Sequence, residues 1–101
     1  MVSIEDVKTY IRVDSEDEDT MLEMFIAAAD SFMGDAINNY HDVYPNAGAK
    51  WQQKANLCEL MLVGYWYEHR TESTQYVPAS VAALVTQLQL HNISTGGESN
   101  G

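Results

Sequence analysis

The feature that most constrains the fold is an apolar segment between Lys50 and Arg70, which could form one uninterrupted helix. Its apolar residues recur at spacings of three and four, as on one face of a helix with 3.6 residues per turn: Trp51, Ala55, Cys58, Met61, Leu62, Tyr65 and Trp66. Three more residues widen this stripe, namely Leu57, Leu60 and Val63. Only a narrow polar edge remains, formed by Gln52, Gln53, Asn56, Glu59 and Glu68. A helix this apolar must be covered on several sides, so we expect the rest of the chain to pack around it.

Length and composition indicate one globular domain. A chain of 101 residues can bury a modest core, and an apolar content of 46% excludes wholesale disorder. No apolar run approaches the roughly 18 residues that predict a transmembrane helix, and the first residues show no secretory pattern. We therefore expect a cytosolic protein that does not associate with membranes.

The charge balance is strongly acidic. Fifteen acidic residues against five basic ones give a formal net charge of −10, and residues 1–50 hold eleven of the acids. Such a charge repels nucleic-acid phosphates, which argues against conventional DNA binding. Two interpretations stay open: an acidic face that is merely solvated, or a surface that must lie near DNA without binding it.

A short helix is predicted over residues 2–11. Ser3 is a suitable N-cap, and Asp6 three residues later completes a capping-box pattern. A helix of this length is marginal alone, so we expect it to dock against the rest of the domain.

A long amphipathic helix is predicted next, ending at about Asn38. Asp14 or Ser15 is the expected cap, and the acids that follow would occupy the first turn, where the helix dipole favours negative charge. Gly34 inside the helix costs about 1 kcal/mol relative to alanine. Residues 40–48 are rich in turn residues and are predicted to be a connector.

The chain is predicted to end with a helix and a tail. Residues 71–76 form a polar loop, and Pro78 is placed in the first turn of the last helix. From Asn92 onward too few apolar residues remain to pack, so we expect this tail to be mobile in isolation. We predict an all-α bundle of about four helices, with domain boundaries at 1–91 and 92–101. Its core is expected to contain Leu22, Phe25, Ile26, Phe32, Trp51, Cys58, Leu62, Trp66, Leu84 and Leu88.

No catalytic, metal-binding or cofactor-binding constellation is visible in the sequence. The three histidines lie in different elements, and no phosphate-binding glycine loop occurs. A calcium loop starting at Asp14 fails, because its sixth position is Asp19 instead of glycine and its twelfth is Phe25 instead of glutamate. Cys58 is interpreted as a buried structural thiol. We expect no enzymatic activity and no cofactor.

The end of the central helix is rich in residue types that anchor interfaces. Tyr65, Trp66 and Tyr67 precede Arg70 closely, and tryptophan, tyrosine and arginine are enriched in binding hot spots. Core packing, with Tyr67 at the rim of the core, explains the same pattern. Both interpretations can hold at once.

The order of these elements resembles a known family. Tyr10-Ile11-Arg12-Val13-Asp14 precedes an acidic run, and the central helix ends in Trp66-Tyr67-Glu68-His69-Arg70 before a polar loop and Val77-Pro78. Over residues 4–90 this pattern is similar to the head–tail connectors of long-tailed phages, also called DNA-packaging or head-completion adaptors. The resemblance rests on order and spacing together, since no single motif is catalytic.

The resemblance implies a structural virion protein at the neck. Members assemble as rings, commonly dodecamers, beneath the portal protein, extend its DNA channel and offer a platform to head-closure or tail-completion proteins. Portal and ring contacts would then involve the loop and the start of the tail, together with the end of the central helix: Tyr67, Arg70, Glu72, Ser73, Thr74, Gln75, Tyr76, His91, Asn92, Ile93, Ser94 and Thr95. Acidic channel walls would not retain DNA, and the candidates for that surface are Glu16, Asp17, Glu18 and Asp19.

Repulsion between copies with ten net negative charges leads us to expect monomers in isolation. Rings would form at high concentration, at high salt or on the portal. An acidic DNA mimic that inhibits a host nucleic-acid-binding protein is the alternative from another class, and its only support is the charge. A helical regulatory domain is a third possibility.

Overall fold

The part of the chain described by the computed structural model, residues 2–71 and 76–98 with side chains as far as residue 90, is helical and contains no strand. A 3-10 turn, Tyr44–Asn46, connects the third and fourth helices of the chain. Five α-helices follow one another in these residues: α1 (Ile4–Ile11), α2 (Asp19–Ala36), α3 (Tyr40–Val43), α4 (Ala49–Glu68) and α5 (Ala79–Glu98). The prediction of an all-α bundle is therefore confirmed.

The apolar segment forms the central helix, as predicted. Helix α4 packs against α1, α2 and α5, which cover it on several sides. It begins at Ala49 and ends at Glu68, close to the predicted bounds. Its indole N–H groups help to hold the surrounding chain: Trp51 donates to the carbonyl of Leu88 at 3.2 Å, and Trp66 donates to that of Tyr76 at 2.8 Å.

The ten residues proposed for the core divide into two groups. Those that are buried are Leu22, Trp51, Cys58, Leu62, Trp66 and Leu88. Those that are partly buried and pack against this cluster are Phe25, Ile26, Phe32 and Leu84. The core thus lies along α4 and extends toward the inner faces of α2 and α5.

Helix α1 begins as predicted. The Ser3 hydroxyl accepts a hydrogen bond from the Asp6 N–H at 3.1 Å, and the Asp6 carboxylate accepts one from the Ser3 N–H at 3.0 Å. This reciprocal pair confirms the capping box. Val7 is buried and docks the helix on the core.

The predicted start of α2 is wrong. The helix begins at Asp19, preceded by Glu18, whose side chain does not cap it. Ser15 instead accepts a hydrogen bond from the N–H of Asp17 at 2.9 Å, which closes a local turn. Such turns compete with helix initiation, so the acidic run lies before the helix and only Asp19 occupies its first turn.

The connector between α2 and α4 is more ordered than predicted. Helix α2 ends at Ala36, and the following residues form α3 and the 3-10 turn in place of an irregular loop. Tyr40 of α3 is 1% exposed, so its burial stabilises a helix too short to persist alone. Gly34 permits this packing, because a Cβ there would lie 2.7 Å from the His41 ring.

The predicted polar edge of α4 is wrong at Glu59, which is fully buried. The Tyr40 hydroxyl donates to Glu59 Oε2 at 3.1 Å, while Oε1 has no hydrogen-bond partner among the described residues. Burial, reinforced by the negative charge of Asp30, raises the pKa of the Glu59 carboxyl. Burial and the negative charge of Glu59 also raise the pKa of the Tyr40 hydroxyl.

Helix α5 is longer than its apolar stripe suggested. It begins at Ala79, directly after Pro78, and its backbone remains helical to Glu98, beyond the expected end near Leu90. The division of the chain at residue 91 and the mobility of the tail in isolation stay predictions.

Candidate interaction surfaces

Two groups of predicted site residues meet at one end of the bundle. The Tyr67 hydroxyl donates to Glu18 Oε1 at 2.6 Å, and Arg70 Nε lies 3.4 Å from Glu18 Oε2. The Arg70 guanidinium also lies 4.2 Å from the centre of the Tyr67 ring and donates to the Tyr67 carbonyl at 2.6 Å. We call these three residues the Glu18 cluster. It joins the residues before α2 to the end of α4.

The Glu18 cluster changes what its members can offer to a partner. The hydrogen bond to the Glu18 carboxylate raises the pKa of the Tyr67 hydroxyl. Arg70 compensates the negative charge of Glu18 within the same chain, although both side chains remain about one-third exposed. Tyr67 and Arg70 therefore stabilise the subunit as well as being accessible at its surface.

A basic residue of the same chain neutralises part of the acidic surface. Lys8 Nζ lies 2.6 Å from Asp19 Oδ1, and this contact raises the pKa of the Lys8 ammonium. Glu16 and Asp17 are exposed, in contrast to Glu18 and Asp19. Of the four acids proposed for a channel surface, the structure therefore leaves Glu16 and Asp17 with the greater access to solvent.

The predicted loop and tail contacts lie largely outside the described residues. This applies to residues 72–75 entirely and to the side chains of 91–95, whose backbone belongs to α5. Tyr76 is described: its carbonyl is held by the Trp66 indole, and its side chain is 56% exposed. The neighbouring Val77 is also exposed, so the end of the loop presents an apolar surface.

A first groove lies between α1, the second half of α4 and the start of α5. It has a volume of about 500 Å³, and its lining includes Tyr10, Arg12 and Gly64. A Cβ at Gly64 would lie 2.8 Å from the Tyr10 ring, so glycine permits this close packing of α1 on α4. Tyr10 nevertheless remains 46% exposed and is available to a further contact.

A second and larger groove, which we call the α4–α5 groove, lies between the first half of α4 and the middle of α5. Its volume is about 850 Å³. The residues along it are Lys50, Trp51, Gln53, Lys54, Leu57, Leu84, Gln87, Leu88 and Leu90. Leu57 is 42% exposed and Leu90 is 61% exposed, so its rim is apolar and accessible. The sequence did not lead us to predict this groove, although Leu57, which lies outside the main apolar face of α4, was a signal for it.

The described residues offer no assembled site for chemistry. They contain no cluster of three or more histidine, cysteine, aspartate or glutamate side chains that could hold a metal ion. Cys58 is buried, and burial raises its pKa to about 11, which keeps it a thiol at neutral pH. Within the same described residues, no helix is long and apolar enough to cross a membrane.

Comparison with known proteins gives a family assignment. A family model described as phage gp6-like head-tail connector protein matches residues 1–91, which is nearly the whole helical bundle. Searches of curated proteins and of solved structures gave no significant match.

Proposed function

The chain belongs to the phage gp6-like head–tail connector family, and from that premise we propose that it assembles as a ring beneath the portal of a DNA-filled capsid. The family gives the coarser statement directly: the protein is a structural connector of the phage virion, located at the head–tail junction. The ring, its dodecameric state in the virion and its docking partners belong to the proposal. Assembly would begin in the host cytoplasm.

The observation that carries the proposal is the family match across residues 1–91. It covers the helices that build the core as well as the Glu18 cluster and much of the α4–α5 groove. Helix α4 forms the buried centre of the bundle, and several apolar residues are exposed at the surface, including Met24, Tyr76 and Leu90. A rigid subunit with unfilled apolar surface suits a protein whose function is assembly.

The charge of the subunit suits a DNA conduit. A wall with a net negative charge does not bind phosphates, so DNA could pass through the ring without being retained. The exposed Glu16 is the residue we assign to such a wall. The same charge opposes association of like subunits, with a range of about 8–10 Å at moderate ionic strength.

In this proposal the ring extends the portal channel on one side and receives a head-closure or tail-completion protein on the other. The loop at residues 71–76 and the segment from His91 onward are the proposed contacts with these partners. Free subunits are monomers, and salt or the portal surface promotes the ring because each reduces or offsets the repulsion between copies.

The test is co-sedimentation with purified rings of the portal protein encoded in the same genome. We expect the connector to move with the portal in a density gradient, at a fixed ratio of subunits, and to do so more completely as salt is raised. Failure to co-sediment at every concentration and ionic strength would contradict portal docking. Retention of the protein by a basic DNA-binding protein, with release by salt, would instead favour the inhibitor alternative.

A further inference from the structure

We propose that the α4–α5 groove binds the outer face of α2 from a neighbouring copy of this chain. The inference deepens the proposed ring and rests on it, since it assigns the two surfaces through which adjacent subunits would meet. The groove is lined by apolar side chains, among them Leu57, Leu84 and Leu88, and it is open enough to accept side chains from outside.

The groove carries positive charge on an otherwise acidic protein. Lys50 and Lys54 line it, and they are two of the five basic residues in the chain. Two others are paired internally, Lys8 with Asp19 and Arg70 with Glu18. Lys54 contacts only a neutral partner in the described part of the chain, the Gln87 side chain at 3.3 Å. A segment that is both apolar and acidic would therefore complement the groove in shape and charge.

The outer face of α2 has these properties. The exposed residues of its first half recur at helical spacing and are Thr20, Glu23, Met24 and Ala27, and Ser31 and Asp35 continue the same face farther along the helix. Met24 is 67% exposed, although methionine is normally buried, and it is flanked by the acidic Glu23 and by small side chains. Asp17 is exposed just before the helix and extends the acidic part of this face. Met24 is a flexible apolar side chain able to fill an irregular groove.

The two surfaces lie at different ends of the subunit. Phe25, next to Met24, packs on Trp66 with ring centroids 6.2 Å apart, which places this part of α2 beside the second half of α4. The groove lies at the first half of α4, around Trp51 and Leu57. Helix α4 has 20 residues and spans about 30 Å, so the part of the outer face around Met24 is displaced from the groove of its own chain.

A contact between two different surfaces is heterologous. Repetition of such a contact produces a closed ring when the rotation between copies closes, and a filament when it does not. An isologous contact would stop at a dimer. The separation of the groove from the outer face of α2 therefore agrees with the cyclic assembly proposed above.

Charge exchange between the two surfaces tests this contact. We expect K50E/K54E to raise the concentration of half-assembly by about tenfold or more, because acids would then face acids across the interface. D17K/E23K should weaken assembly through the reverse mismatch. The combined variant K50E/K54E/D17K/E23K should restore it, and sedimentation velocity across a concentration series measures all three.

The control separates placement of charge from total charge. K50E/K54E/D42K/E68K has the same formal net charge as the wild type and as the combined variant, but its new lysines lie outside the two proposed surfaces, at the exposed Asp42 and Glu68. We expect it to remain defective. Equal recovery by both four-residue variants would overturn the inference, because it would show that only net charge matters. Unfolding curves establish that each variant is folded.

A crosslinking measurement supplies an independent readout. Met24→Cys and Leu57→Cys proteins, mixed and oxidised under assembly conditions, should form a disulfide-linked pair, whereas each alone should give far less. The native Cys58 is buried and does not compete. Portal binding that persists while the charge exchange and crosslink both fail would overturn this contact and leave the proposed function standing. Loss of all assembly and of portal binding in the wild type would overturn both.

Discussion

Replacement of Glu59 by glutamine should shift the balance of stability in favour of the variant as pH rises. The Glu59 carboxyl is completely buried and accepts a hydrogen bond from the Tyr40 hydroxyl at 3.1 Å. Burial raises its pKa, so the folded state holds a proton more tightly than the unfolded state does. Stability from this group is fully present below the unfolded pKa, near 4.3, and is lost as pH rises through the folded pKa.

The size of the effect follows from this linkage. Each unit by which the folded pKa exceeds the unfolded one costs the wild type about 1.4 kcal/mol at a pH above both values. Glutamine is uncharged and can still accept the Tyr40 hydrogen bond through its amide oxygen, so the variant avoids that cost. An amide N–H₂ group of the E59Q side chain that found no hydrogen-bond partner would cost the variant about 1–3 kcal/mol, independently of pH.

Urea unfolding of wild type and E59Q between pH 4.5 and 8 measures the difference. Comparing the two proteins at each pH cancels the contribution of the other acids, which both share. Tyr40→Phe should cost about 1.5–3 kcal/mol at a pH where Glu59 is ionised and less where it is protonated, because the bond it removes is made to a charged group only in the ionised state. Tyr44→Phe is the matched control: its hydroxyl bonds the neutral Asn56 at 2.8 Å, so its cost should not depend on pH. A pH-independent difference between E59Q and wild type would refute the reasoning.

Three further predictions concern the core, the Glu18 cluster and the thiol. Leu62→Ala should lower the unfolding free energy by about 3–5 kcal/mol in urea, against under about 1 kcal/mol for the exposed Leu57→Ala, and equal losses would contradict the described core. A double-mutant cycle of Glu18→Gln and Tyr67→Phe should give a coupling of about 0.5–1 kcal/mol that salt weakens only slightly, and no coupling would show that their bond contributes nothing. Cys58 should resist a thiol reagent at pH 8 in the folded protein and react in urea, since its pKa lies at about 11, and rapid native labelling would contradict its burial.

Local sequence patterns predicted the parts of the fold that depend on neighbouring residues. The capping box at Ser3 and Asp6 lies within one turn, and the stripe that defines α4 lies within one helix. The family resemblance also depended on the order of such local features. Each of these signals can be read without knowing which helices pack together.

The errors occurred where a residue's role is fixed by a distant partner. Glu59 was predicted to lie on a polar edge, because no local pattern in α4 reports its hydrogen bond to Tyr40, which is 19 positions away in the sequence. The α4–α5 groove likewise exists only once two helices have packed, and no periodicity in either helix reports their relative placement. The start of α2 is the exception, because a local turn, in which Ser15 accepts a hydrogen bond from the Asp17 N–H, delays the helix to Asp19.

Electron microscopy of portal rings incubated with this protein tests the central claim most directly. We expect averaged images to show an additional ring of density on the portal axis, with an open channel and density for several connector copies. Images in which portal rings remain bare, at saturating connector and in both low and high salt, would contradict the claim that this helical subunit builds a ring at the neck of the virion.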